Sequence, residues 1–214
     1  MKRLLLLSLL LSSCSFFTDR TPVPNPDPNH THADFAVWVN GEKLDFSGAE
    51  YMSGTSTDEQ THDEVDEYLD EYLHLHDEVG YVIHRHKPGL SLLEFLQSLG
   101  VIIREIPNER ICLTFPQIEE EICEEDFHYF FVYTNDPYEG YARDLRSDYL
   151  FDDIDRILIT NGSETTSEDI DAMHKQWMQM TNDACLYSKT CPWRGDPPAE
   201  NCIADPEVPC VLGE

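Results

Sequence analysis

Six of the nine histidines in the chain fall into three His-x-His pairs: His30/His32, His74/His76 and His84/His86. On an extended strand, residues i and i+2 project from one face about 6.5–7 Å apart, so two imidazoles can converge on one ion when a neighbouring strand supplies more. A neutral imidazole nitrogen suits zinc, copper, nickel or iron. Six imidazoles exceed a tetrahedral or square-planar shell, so three or four ligands, or two sites, are expected.

The elements that must position these rings can be read from the flanking residues. Leu73-His74-Leu75-His76-Asp77 runs through Glu78-Val79-Gly80 into Tyr81-Val82-Ile83-His84-Arg85-His86. A three-residue hairpin loop closed by a left-handed Gly80 sets 77 opposite 81, and therefore 74 opposite 84. Alternation then gives Leu73, Leu75, Tyr81 and Ile83 to the core and turns all four imidazoles outward. A slip of one residue would split the pairs between two faces. His30 and His32 share parity with Asp34, opposite Phe35, Val37 and Val39, so His32 and Asp34 could complete the site, while His30 lies next to a tether. The expected ligands are His32, His74, His76, His84 and His86, holding a zinc or copper ion. The competing reading is a polar sheet face that becomes charged below about pH 6.5.

Other catalytic signatures are missing. There is no G-x-S-x-G elbow, phosphate-binding glycine loop or H-E-x-x-H helix. His74-x-His76 with Glu78 resembles the cupin metal motif, but the Glu comes too early and the glycine spacing is absent. Asp34, Asp77 and Glu78 are the only nearby acid–base groups. His174 and Met178 are adjacent on a helix and could hold Cu(I), although Met173, Trp177 and Met180 already form an apolar stripe there. His62 and His128 read as structural or exposed.

The 214 residues include 42 acidic and 14 basic ones, for a net charge of −28. That excess disfavours nucleic acid or an anionic lipid surface as partner and leaves metal cations or a basic protein. With 41% apolar and 11% aromatic residues, the chain can nevertheless build a core.

Met1-Lys2-Arg3 and the leucine-rich run to Ser13 read as an export signal too short for a permanent span. Leu11-Ser12-Ser13-Cys14 resembles the lipobox of bacterial lipoproteins. The resemblance implies export and a lipid on Cys14 as the sole membrane contact, on the periplasmic or outer surface. Six cysteines remain (Cys112, Cys123, Cys185, Cys191, Cys202 and Cys210), an even set that reads as three disulfides, with sequence neighbours as the first pairing to test. No C-x-x-C occurs.

The expected organisation is a signal at 1–13, a Pro-rich tether at 14–29, a histidine-rich module at 30–115, a second α+β module at 116–187 and a Cys/Pro-rich tail at 188–214. The fold class is α+β: small mixed sheets built from hairpins, one packed helix in each half, and a disulfide-stapled tail. Phe35–Phe46 forms a hairpin turning at Asn40-Gly41. Thr57–Glu71 is an acidic run, and a helix over Leu92–Leu99 ends at Gly100. Val101–Ile103 and Ile111–Phe115 return as strands, in an element order resembling the β-grasp. An acidic loop at Glu119–Asp126, strands at Phe127–Tyr133 and Ile154–Thr160, and a helix starting near Thr165 or Ser167, with Thr165-x-x-Glu168 as a capping box and an apolar stripe extending to Ala184, complete the pattern. The segment His30–Gly100 resembles uncharacterised histidine-rich exported proteins of environmental bacteria. That likeness marks it as a module and assigns it no chemistry. Three accounts of function remain: an envelope metal-binding lipoprotein, a metal-free acidic envelope protein that docks a partner, and a metal-dependent enzyme.

Overall fold

The computed structural model describes residues 20–52, 72–108, 110–125, 128–134, 142–145, 149–163 and 166–196. The signal and Cys14, the acidic run, His62, Cys202 and Cys210 lie outside these residues.

The fold is α+β, with two mixed or antiparallel sheets and few helices. Its centre is β1 (Thr31–Val39), which pairs antiparallel with β4 (Val82–Arg85) on one side and parallel with β10 (Arg156–Gly162) on the other. The sheet continues past β4 to β3 (Leu73–His74), and past β10 to β8 (Tyr129–Tyr133) and β9 (Ala142–Asp144). Strands from both sequence halves thus share one sheet. The first hairpin turns at Asn40-Gly41, both at positive φ, into the short β2 (Glu42–Lys43). This is the mirror-image turn that matches strand twist.

One face of the sheet packs on α1 (Leu92–Ser98) and on a second sheet of β5 (Ile102–Ile106), β6 (Arg110–Thr114) and β7 (Ile122–Cys123). The strands after α1 therefore do not rejoin the main sheet. Phe35, Val37, Ile83, Phe95, Leu96, Ile111, Leu113 and Ile157 fill this layer. Helix α1 is defined by its ends. Ser91 and Glu94 form a reciprocal capping box, and Gly100 at φ 78° closes the helix, with Gly100 and Val101 amides donating to Gln97 and Leu96 carbonyls. Cys112 and Cys123 are directly opposed on β6 and β7 and form a disulfide. The segment expected as an acidic loop thus contains β7. Next to it, the buried Glu124 carboxylate accepts from the Ile111 and Phe130 amides and ties the two sheets together.

The other face carries α2 (Ser167–Met178) and α3 (Ala184–Tyr187). Met173, Trp177 and Met180 pack on Ala36, Tyr133 and Leu158. The helix expected to run through Ala184 is interrupted here. The Arg156 guanidinium donates to the carbonyls of Trp177, Met180 and Thr181 at this break. Helix α2 begins at Ser167, the later of the two expected starts, and its cap is Thr166 instead of Thr165, with the Thr166 hydroxyl accepting from the Asp169 amide. Residues 20–29 form no helix or strand, yet they are bound down. The Val23 amide donates to the Thr190 carbonyl, and Asn25 bridges the His30 carbonyl and Asp153. Among the described residues no helix is long and apolar enough to cross a membrane.

The turn between β3 and β4 also differs from expectation. Asp77 and Glu78 hold positive φ, 58° and 59°, and the Val79 amide donates to the His76 carbonyl. Gly80 is not left-handed. It is needed because a β-carbon there would lie 2.3 Å from the Phe46 carbonyl carbon and the Ser47 nitrogen. Gly80→Ala should therefore lower stability by about 2 kcal/mol through displacement of packed backbone. Urea unfolding with unchanged midpoint would contradict this close approach.

Candidate metal centre

The register across three strands builds the site. His84 on β4 stands opposite His74 on β3 and opposite His32 on β1, so the three rings form a row across the sheet. His86 and His76 follow two residues beyond His84 and His74, and His30 directly precedes β1. Ring centroids lie 4.7 Å apart for His32–His84, 3.8 Å for His76–His84, 4.9 Å for His74–His86, 4.5 Å for His30–His32 and 4.0 Å for His30–His86. The rings of His32, His74, His76, His84 and His86 thus lie in one cluster, and His30, which sequence places beside the tether, lies in it too. One ligand nitrogen from each of His30, His32 and His84 falls within 4.8 Å of the others, a group that could hold a metal ion.

The rings do not face solvent as strand alternation suggested. His32, His74, His84 and His86 are buried, and His76 keeps 12% of its side chain exposed. The reason is the second layer. Helix α3 and the residues after it lie over the histidine face, with the Tyr187 ring 5.0 Å from His84 and 5.7 Å from His32. At least one ring nitrogen of each of the six histidines is shielded from solvent.

Asp34 holds this roof in place instead of joining the ligands. It is fully buried, and its carboxylate accepts from the Thr181 hydroxyl at 2.6 Å and from the Asp183 and Ala184 amides at 2.8 and 2.9 Å. Two of those donors are amides at the start of α3, where a carboxylate is favoured. Burial pushes its pKa up while the three donors pull it down. Farther along, the disulfide Cys185–Cys191 closes the loop that carries Tyr187 and Ser188.

Two rings have their outer nitrogens fixed. The Ser188 hydroxyl donates to Asp153 Oδ1 at 2.5 Å, so its oxygen accepts from His32 Nδ1–H at 2.8 Å. Asp153 is itself positioned by the His32 amide and by Asn25. His76 Nδ1–H donates to Asp77 Oδ2 at 2.8 Å. In both rings Nε2 then carries the lone pair, the arrangement by which outer carboxylates orient metal-ligating histidines. Asp153, Ser188 and Tyr187 carried no spacing signal, because they meet the histidines only through the tertiary fold.

Burial, reinforced by the neighbouring imidazoles, pushes the His30 pKa down to about 3 and that of His86 to about 2, and His84 well below the usual range. His32 is pushed to about 3 by burial against an opposing pull from Asp153. These rings are thus neutral donors at pH 7.

The other candidates resolve simply. His128 is exposed, with Nε2 3.0 Å from the Asn161 amide nitrogen. Met178 is 66% exposed while Met173, Trp177 and Met180 pack in the core, so the His174/Met178 pair lies at the edge of a packed stripe. Glu78 is exposed in its turn. Comparison with protein-family models, curated proteins and solved structures returns no match.

Two outcomes follow. The unfolded chain takes up protons on these histidines near pH 6.5 and the folded, metal-free chain only near pH 3. Stability is therefore full above pH 6.5 and falls as pH drops towards 3, by up to about 1.4 kcal/mol per pH unit for each such ring. Thermal midpoints of the metal-free protein that are flat between pH 7.5 and 4.5 would contradict this burial. Asp34→Ala leaves three buried or half-buried donors without their acceptor and should cost about 2–4 kcal/mol in chemical denaturation. Wild-type stability in that variant would show that the roof is held by other contacts.

Proposed function

We propose that the protein binds a transition-metal ion, zinc or copper, through its clustered histidines. The observation that carries the reading is the convergence of six imidazoles, three of them aligned across β3, β4 and β1, beneath a roof that shields them from solvent. The donor set is nitrogen throughout, which suits zinc and copper and disfavours calcium and magnesium. A closed, water-poor site fits holding an ion for sequestration, sensing or structural support. An enzyme reading would need a base beside the ion, and Asp34 is engaged by three donors while Glu78 points from an exposed turn.

In this reading the protein works in a bacterial cell envelope, exported and anchored by lipid on Cys14. The basic and leucine-rich start, the lipobox and the two disulfides support that location. Docking of a basic protein on the acidic surface remains the second account, favoured by the charge of −28.

The test is calorimetric titration of Zn2+ and of Cu2+ into the full chain, produced without a polyhistidine tag, beside His84→Ala. The substitution removes the ring at the middle of the row and should weaken binding at least tenfold, about 1.4 kcal/mol. Equal uptake by both proteins, or uptake by neither, would sink the histidine site.

A further inference from the structure

The six rings form one connected array with unequal access to solvent. Ring contacts run from His76 to His84 at 3.8 Å, on to His32 at 4.7 Å, to His30 at 4.5 Å and to His86 at 4.0 Å. Only one part of this array is a seat. Among the described histidines, His30, His32 and His84 alone bring one ligand nitrogen each within 4.8 Å of the others. Three histidines are the full protein share of an open zinc shell. His76 lies outside that trio and against it.

The cover over the trio decides how an ion reaches it. Tyr187 lies over His84 and His32, and the segment that carries it is fastened to Asp34 through three donors. His32, His74, His84 and His86 each keep 3% or less of their surface exposed. The array meets solvent at β3, the edge strand of the sheet, where His76 follows the strand with 12% of its side chain exposed. The His76 ring spans the boundary. Its Nδ1 is bonded to Asp77, whose side chain is 53% exposed, while its Nε2 is shielded from solvent. Glu78, also exposed, sits next to Asp77 in the turn. The far end differs. His30 is half-buried, its backbone is bonded to Asn25 and Asp27, and the exposed Lys189 places a positive charge near it. A cation arriving from solvent thus meets two exposed carboxylates at His76 and an ammonium group at His30.

We propose that a single transition-metal ion, zinc or copper, enters the cluster at His76 and Asp77 and passes to a seat on His30, His32 and His84. This rests on the metal-binding reading above and adds the ligand trio and the route to it. Asp77 draws the cation to the mouth and holds the His76 ring there. Rotation of that ring, a fast side-chain step at a partly exposed position, carries the ion from the Asp77 side to the shielded side, where His84 is the nearest ring. Asp77 is a positioning residue of the route and no ligand of the seated ion.

Stopped-flow mixing of the full, untagged chain with Zn2+ reads uptake through a fluorescent zinc chelator, and excess chelator added to the loaded protein reads release. The wild type should take up one Zn2+. His76→Gln should slow uptake and release together, each by about tenfold, whereas His32→Gln, which alters the seat, should speed release without slowing uptake. Asp77→Asn should slow uptake about threefold at low salt and less at high salt, because it removes a steering charge, a dependence that a merely structural role would not give. Asparagine suits the positive φ at position 77, so this variant decides the matter should circular dichroism show His76→Gln unfolded. Unchanged uptake in His76→Gln and Asp77→Asn, or faster release in His76→Gln, overturns the route and leaves the metal-binding reading standing. More than one Zn2+ in the wild type overturns the single seat, and no uptake at all removes both readings.

Discussion

The register of β3, β4 and β1 against one another places every histidine ring in the cluster. Because β4 is paired on both edges, its register to β3 and to β1 is set twice, and both settings place a histidine opposite His84. In a sheet with side-chain period two, a shift of one residue in either pairing would exchange an imidazole for Ile83 or Arg85. The apolar partners on the reverse face, Leu73, Ile83 and Ala33, are each fully buried and resist that shift. The hydrophobic layer beneath the sheet therefore holds the polar layer above it in line.

The second constraint is the covering of that polar layer. A sheet with one wet face would have left the rings in water, weakly coupled and near their ordinary pKa. Here α3 and the Cys185–Cys191 loop cover it, and the cover is attached by polar contacts. Asp34 takes the start of α3, Ser188 links His32 to Asp153, and residues 20–29 strap across by the Val23 and Asn25 contacts. Hydrogen bonds to charged groups in a dry setting are among the stronger ones a fold has, and they explain how a layer with few apolar anchors stays seated.

Much of this was legible in the residues. The opposition of 74 and 84 followed from hairpin arithmetic, the Asn40-Gly41 turn from its dipeptide, α1 from its apolar band and Gly100, and two disulfide pairings from adjacency. The hairpin register survived even though the turn residues were assigned wrongly, since Asp77 and Glu78 took the left-handed conformation that Gly80 was expected to hold. What was not legible depended on elements distant in sequence. Nothing near His32 signals that Tyr187 covers it, so alternation alone turned the rings outward. Asp34 has the parity of a ligand, and only the arrival of α3 shows that its carboxylate is already engaged. His30 was discounted because it follows a proline-rich stretch, and contacts made by that stretch bring it into the group.

The link between His32 and Ser188 spans 156 positions. All six imidazoles lie between residues 30 and 86, whereas the hydroxyl that orients His32 and the tyrosine ring that covers it come from beyond residue 180. A growing chain that has emerged only as far as the turn between β3 and β4 and the strand after it already carries every ring but not their cover, and the dry interior comes into being only with the last third of the described sequence.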